Sequence, residues 1–178
     1  MDSAASDADA ATVGSIVGGV VSRRADLRRD RSVVMVVTTV TIIAADQLTK
    51  WWALQALDDG AIDLFWTLRL RLVFNTGAAF SLIEGLGPLL ALGAVIIAGV
   101  LLWFGRVAPD RATAVAFGLI AGGALGNLTD RLFRDGDGFL GGPVVDFIDV
   151  QWWPVWNVAD MAIVVGGAAL VVLASRNR

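Results

Sequence analysis

Two acids, Asp146 in VVDF and Asp160 in WNVADMAIVVG, stand in or beside apolar sequence. Asp160 lies about a turn inside a stretch that otherwise reads as a membrane helix. A carboxylate at that depth is costly, which marks it as a functional candidate. The chain has no His and no Cys, so an imidazole base and a thiolate nucleophile are excluded. Hydrolytic chemistry would have to come from carboxylates, from the single Lys50, or from a metal held by oxygen ligands.

Further polar residues recur at helical spacing. Asn127 and Asp130 are three apart, as are Asn157 and Asp160, so each pair would share a helix face. Asn157 to Asp160 also has the form of a helix N-cap arrangement, so capping and function compete as readings there. Asn127 fits capping less well, because it falls where a helix is expected to close. Asp46 and Lys50 are four apart, and an intrahelical ion pair is the simpler reading. The alternative is that Lys50 meets a lipid phosphate or orients another polar group. Asn75 in NTGAAFSL is followed by Gly77, which suggests a tight turn or a close backbone approach. Arg131, next to Asp130, is expected to hold a loop by a charge-assisted hydrogen bond.

These residues must be positioned by membrane elements. Of 178 residues, 56% are hydrophobic and the mean hydropathy is +0.69, too apolar for an ordinary soluble domain. The net charge of −3 argues against a nucleic-acid surface. Four apolar runs approach the length of a bilayer span: 33–52, 86–105, 112–128 and 158–174. Arg23, Arg24, Arg28, Arg29 and Arg31 precede the first run, Arg106 and Arg111 link the second to the third, and Arg176 and Arg178 follow the fourth. The positive-inside rule makes those sides cytoplasmic. The other two connections then face outward. They carry Asp58, Asp59, Asp63 and Glu84 in one, and Asp130, Asp135, Asp137, Asp146 and Asp149 in the other.

The expected fold is thus an all-α membrane protein with four transmembrane helices and a small β-strand element in the first outer loop. DLFWTLRLRLVF supplies the strand signal, with Thr67, Arg69 and Arg71 alternating with apolar residues. Gly118, Gly122 and Gly126 form a small-xxx-small pattern that allows close helix packing. Most of the Trp residues would form an interfacial belt. Residues 1–31 read as a disordered cytoplasmic tail, since the apolar piece precedes the Arg cluster, opposite to a secretory signal. Residues 32–178 read as the membrane domain.

DQLTK, NTGAAFSL, GGALGNLTDR, VVDF and NVAD occur in that order over residues 46–166. Together they resemble the bacterial lipoprotein signal peptidase (signal peptidase II) family. The resemblance implies an aspartic endopeptidase of the cytoplasmic membrane, which removes signal peptides from diacylglyceryl-modified prolipoproteins by cutting before the lipidated Cys. It implies a catalytic dyad of Asp146 and Asp160, no metal and no cofactor. Asn75, Gly77, Asn127, Asp130, Arg131, Asn157, Asp46 and Lys50 match positions that support the site or contact substrate. The partners implied are prolipoproteins and membrane lipids, with both termini cytoplasmic and the site at the outer face. Trp156 and Met161 depart from the residues common beside the two motifs, and Asp149 is a further acid outside them.

Two close carboxylates share a proton, so one can take a proton from water while the other donates to the scissile carbonyl. Two other chemistries remain alternatives: a Ser/Lys membrane peptidase using Ser81 and Lys50, and a proton or cation transporter, whose acids should lie near the membrane midplane.

Overall fold

The computed structural model describes residues 2–77, 87–105, 107–136 and 140–176, with side chains placed over most of that range. Ser81, Glu84, Arg106, Asp137 and Arg178 lie outside the described residues. The elements in chain order are α1 (Asp2–Ala56), β1 (Ile62–Phe65), β2 (Leu68–Asn75), α2 (Gly87–Gly105), α3 (Arg111–Phe133), β3 (Val144–Asp149) and α4 (Val158–Arg176).

Helix α3 is the hub, packing against α1, α2 and α4. Its small residues make this possible. A Cβ added at Gly118 would sit 2.8 Å from the Met35 carbonyl oxygen, and one at Gly122 would sit 2.8 Å from Ile42 Cβ. The stripe therefore faces α1. A Cβ at Gly166 of α4 would meet Ile120 Cγ1 at 2.7 Å, so the α3–α4 contact is equally close. Large apolar side chains point the other way. Val37, Val40, Ile96, Val164 and Val171 are exposed, as expected where the surrounding medium is hydrocarbon and helices associate by small-residue packing.

Three helical stretches are long and apolar enough to cross a membrane: Ala25–Ala56, Arg111–Phe133 and Val158–Arg176. In α2 the apolar stretch among the described residues is the shorter Leu92–Gly105. The first expected run is part of a longer helix, and residues 2–31 are helical where a disordered tail was expected. Near the end of that segment, the Arg31 Nη1 donates to the Ala108 carbonyl at 2.9 Å and Asp30 pairs with Arg111 at 2.8 Å. The basic end of α1 and the α2–α3 link therefore lie at one end of the bundle. Helix α3 starts on Asp110, whose carboxylate accepts the Thr113 N–H at 2.7 Å. It continues past Leu128 to Phe133, so Asp130 and Arg131 sit with Asn127 in its last turns rather than beyond it.

The β structure is larger than expected. The proposed single strand breaks at a turn where Trp66 adopts φ 50°. β1 and β2 form a hairpin, and β3 from the second connection completes an antiparallel sheet of order β1-β2-β3. A bulge separates the Leu70↔Ile148 pair from the Val73↔Asp146 pair. This sheet joins the two connections and brings Asn75 and Asp146 to the same end of the bundle.

Gly122→Val should lower thermal stability in detergent by ~1–3 kcal/mol through overpacking against α1. An unchanged melting temperature would show that α1 and α3 are not in tight contact.

Candidate active site

The site begins with a buried ion cluster. Lys50, Asp46 and Asp130 are almost completely excluded from solvent. The Lys50 Nζ lies 2.8 Å from Asp46 Oδ2 and 2.8 Å from Asp130 Oδ2, and donates to Asn127 Oδ1 at 2.9 Å. Three acceptors match the three donors of an ammonium. The carboxylates have other partners as well. Asp46 Oδ1 accepts the Ala159 N–H at 3.0 Å, so α1 caps the start of α4. Asp130 accepts from the Arg134 Nε at 2.9 Å and the Val145 N–H at 3.1 Å, tying α3 to β3.

The cluster fixes Asn127. Lysine only donates, so the Asn127 oxygen must face Lys50 and its amide nitrogen must face away. That nitrogen donates to Asp160 Oδ1 at 2.8 Å. Asn75 is oriented by the same logic. Its oxygen accepts the Gly77 N–H at 2.9 Å in an Asx turn, with Gly77 at φ 91°, and its nitrogen donates to Asp146 Oδ2 at 3.0 Å. Asn157 lies between the two acids. Its Nδ2 donates to Asp146 Oδ1 at 2.7 Å and to Asn127 Oδ1 at 3.1 Å.

Asp160 has two duties. Asn157 Oδ1 accepts the Asp160 N–H at 3.0 Å, and Asp160 Oδ2 accepts the Asn157 N–H at 3.3 Å. This is a reciprocal capping box. Its other oxygen remains on Asn127 and the residue faces a cavity. Capping and cavity placement therefore coexist.

Asp146 and Asp160 both line a cavity of ≈470 Å³. The remaining walls are mostly apolar and come mainly from α2, α3 and α4, with Ala94, Ile97, Ile120 and Ile163 among them, and from Asn75 of β2 and Val144 of β3. Burial raises the Asp146 carboxyl to about 6; the Asn75 hydrogen bond opposes this, and the nearby Asp160 carboxylate adds to it. Arg131 lines the same cavity, and its buried Nη1 has no hydrogen-bond partner among the described residues.

Residues 38–176 match the family described as Signal peptidase (SPase) II. This chain belongs to that family. A lipoprotein signal peptidase of Rhodococcus jostii is 44% identical over 147 residues, covering 80% of this chain and 73% of the relative. One from Mycobacterium tuberculosis H37Rv is 39% identical over 176 residues, covering 98% and 86%. A solved bacterial membrane enzyme, determined in meso at 1.9 Å, superposes with TM-score 0.67 at 25% identity, covering 79% of this chain and 91% of that one.

Within this signal peptidase II chain, all ten singled-out positions fall in one connected region. Several expected roles change. Lys50 is fully buried, so it does not meet a lipid phosphate. Its donors are committed to Asp46, Asp130 and Asn127, which leaves it no lone pair to activate a serine. Arg131 ties the following loop through its carbonyl oxygen, which accepts the Gly142 N–H at 3.3 Å; among the described residues its Nη1 makes no hydrogen bond. Asp149 lies apart: its carboxylate accepts from Arg69 at 2.8 Å, Arg71 at 3.0 Å and the Gln151 N–H at 2.7 Å. Burial pulls that carboxyl up, but the Gln151 N–H and the two guanidiniums outweigh it and hold it below the usual range. Sequence reasoning missed Gln47, whose Nε2 reaches Asp46, Asp130 and the Gly126 carbonyl, and Arg134. Gln47 adjoins Asp46 in DQLTK and Arg134 stands four residues after Asp130, so spacing alone could have flagged the second.

Two outcomes test this electrostatic account. Lys50→Met strands two buried carboxylates and should cost about 3–5 kcal/mol of stability. Adding Asp46→Asn should recover part of that loss, because Asp130 keeps Arg134. If the double variant melts no higher than the single one, the charge account is wrong. The raised Asp146 carboxyl means that the folded state binds the extra proton between about pH 4 and pH 6. Stability should therefore fall as pH rises through that window, by roughly 3 kcal/mol. The fall should shrink in Asp146→Asn; an identical profile in that variant would remove Asp146 as its source.

Proposed function

We propose that Asp146 and Asp160 form the aspartic dyad with which this chain removes signal peptides from prolipoproteins. The observation that carries the reading is that both carboxylates face one apolar-walled cavity and are joined through Asn127 and Asn157. The substrates are diacylglyceryl-modified, and the cut falls just before the lipidated Cys.

In this mechanism the pair shares one proton. Asp146 holds it, because burial already favours its neutral form and substrate covering the cavity excludes more water. Asp160 takes a proton from a water molecule, whose oxygen attacks the scissile carbonyl carbon. Asp146 donates its proton to the carbonyl oxygen. Collapse of the tetrahedral intermediate breaks the C–N bond: the proton gained by Asp160 goes to the departing amine of the Cys, and one hydroxyl proton of the intermediate returns to Asp146 as the new carboxyl C=O forms. Asn75, Asn127 and Asn157 hold the acids in place through donors already committed in the resting site, so little reorganisation is needed. The Arg131 Nη1, which has no hydrogen-bond partner among the described residues, donates to a backbone carbonyl of the bound peptide. The apolar walls accept signal-peptide side chains and acyl chains, which supply binding energy and confine the substrate laterally.

The peptidase unit is residues 32–178, with α2 as the fourth span and the segment 1–31 as an appendage. Both termini are cytoplasmic and the dyad lies at the outer face of the bacterial inner membrane. Support comes from the clustering of Arg31, Ala108 and Arg111 at the end of the bundle opposite the sheet, combined with the positive-inside rule. A transporter reading is disfavoured because the acids crowd one end of the helices. A Ser/Lys mechanism is disfavoured by the commitment of Lys50.

The test is cleavage of a diacylglyceryl-modified prolipoprotein in detergent, with folding checked for each variant. Asp146→Asn and Asp160→Asn should each lose at least about 10³-fold in kcat, whereas Asp149→Asn should stay within about tenfold of wild type. Full activity in either dyad variant would sink the aspartic mechanism.

A further inference from the structure

A second, smaller hollow of ≈230 Å³ adjoins Asp146 on the side of the sheet. Its walls are Val73 and Phe74 from the end of β2, Thr76 just after it, and Pro154 and Val155 from the loop between β3 and α4. Asn75 and Asp146 line both this hollow and the large cavity, so their side chains form the boundary between the two. The mechanism above uses only the large cavity.

The two spaces differ in what surrounds them. The large cavity is walled mainly by the three helices α2, α3 and α4 and belongs to the membrane part of the molecule. The small one is built from the sheet and a connecting loop, outside the helices. A substrate cut at Asp146 must have its chain on both sides of that carboxylate. Its signal peptide and its acyl chains are apolar and stay with the helices. The part that leaves the membrane is the mature chain, and the small hollow is the space on that side of the acid. Apart from Asp146 its lining residues are uncharged, with mainly apolar walls from Val73, Phe74, Pro154 and Val155.

We infer that the hollow walled by Val73, Phe74, Thr76, Pro154 and Val155 is the subsite for the residue immediately after the lipidated Cys. This rests on the dyad reading above. Its occupant is a single residue of the mature chain, with side-chain size as the property read. Val155, half-buried and next to Pro154, is the wall that sets the room available.

The test uses the full chain in detergent and lipidated substrates that differ only in that residue, Gly against Trp. The quantity read is the Trp/Gly ratio of kcat/KM. Val155→Trp fills the hollow and should lower the ratio at least tenfold, and Val155→Ala should raise it. A ratio unchanged in both variants overturns the inference. Should Val155→Trp fail to fold, the Ala variant and cross-linking decide. A diazirine side chain at that substrate position, bound to Asp160→Asn, should label residues 73–76 or 154–155. Labelling confined to Ala94 and Ile97 overturns the inference. Failure of the dyad reading has a different signature, because Asp146→Asn would then cleave like wild type.

Discussion

The ammonium of Lys50 is the constraint on which the site depends. It is buried in an apolar bundle, where an unpaired charge would be untenable. The surroundings therefore supply two carboxylates and an amide oxygen, each from a defined direction. Those partners sit on α1 and α3, and their remaining oxygens take backbone N–H groups from α4 and β3. One charge thus locks four elements in register. Replacing such a cluster with well-packed apolar residues can be neutral for stability, so stability alone gives no reason to keep it. Its distinctive product is direction: Asn127 is held with its nitrogen toward Asp160, and no apolar side chain could impose that.

The same economy extends to the two acids. Each accepts hydrogen bonds from amides whose other atom is already engaged, Asn75 by the Gly77 N–H and Asn127 by Lys50. Their orientations are set before any ligand arrives. The acids differ in where the chain places them. Asp146 is on a strand buried on both faces, whereas Asp160 is in the first turn of a helix and takes part in its capping. Two identical side chains are thereby given unequal surroundings, the condition under which paired carboxylates can take different roles.

The helices and the polar residues were legible because each carries a strong local signal. Apolar runs give spans, and an acid inside such a run stands out. Gly118, Gly122 and Gly126 announced the close face of α3 correctly, since small residues at four-residue spacing have few other uses in an apolar helix. The strand β3 was not legible as a strand. VVDFID is buried on nearly every residue, so it lacks the polar–apolar alternation that revealed β2. The hairpin turn at Trp66 was hidden for another reason: a bulky residue at φ 50° is not one that turn chemistry favours. The helix boundary after Leu128 was drawn at the loss of hydropathy. A helix whose last turns are satisfied by buried ion pairs does not need to end there.

What the sequence could not convey is which competing reading of a residue wins, because several readings hold at once. Asp160 is both the partner in a capping box and a wall of the cavity. Asp46 is both the i, i+4 partner of Lys50 and the acceptor for the Ala159 N–H at the head of α4. This overlap follows from the setting. At this end of the bundle, helix N-termini expose backbone donors and C-termini expose backbone acceptors, none of which lipid can satisfy. Side chains that satisfy them must lie where the termini converge, and that is also where a water-dependent reaction on a membrane-held peptide can take place. Structural and chemical demands for polar groups then fall on the same few positions. A substitution there is expected to perturb folding and reactivity together, so separating the two requires a readout of each.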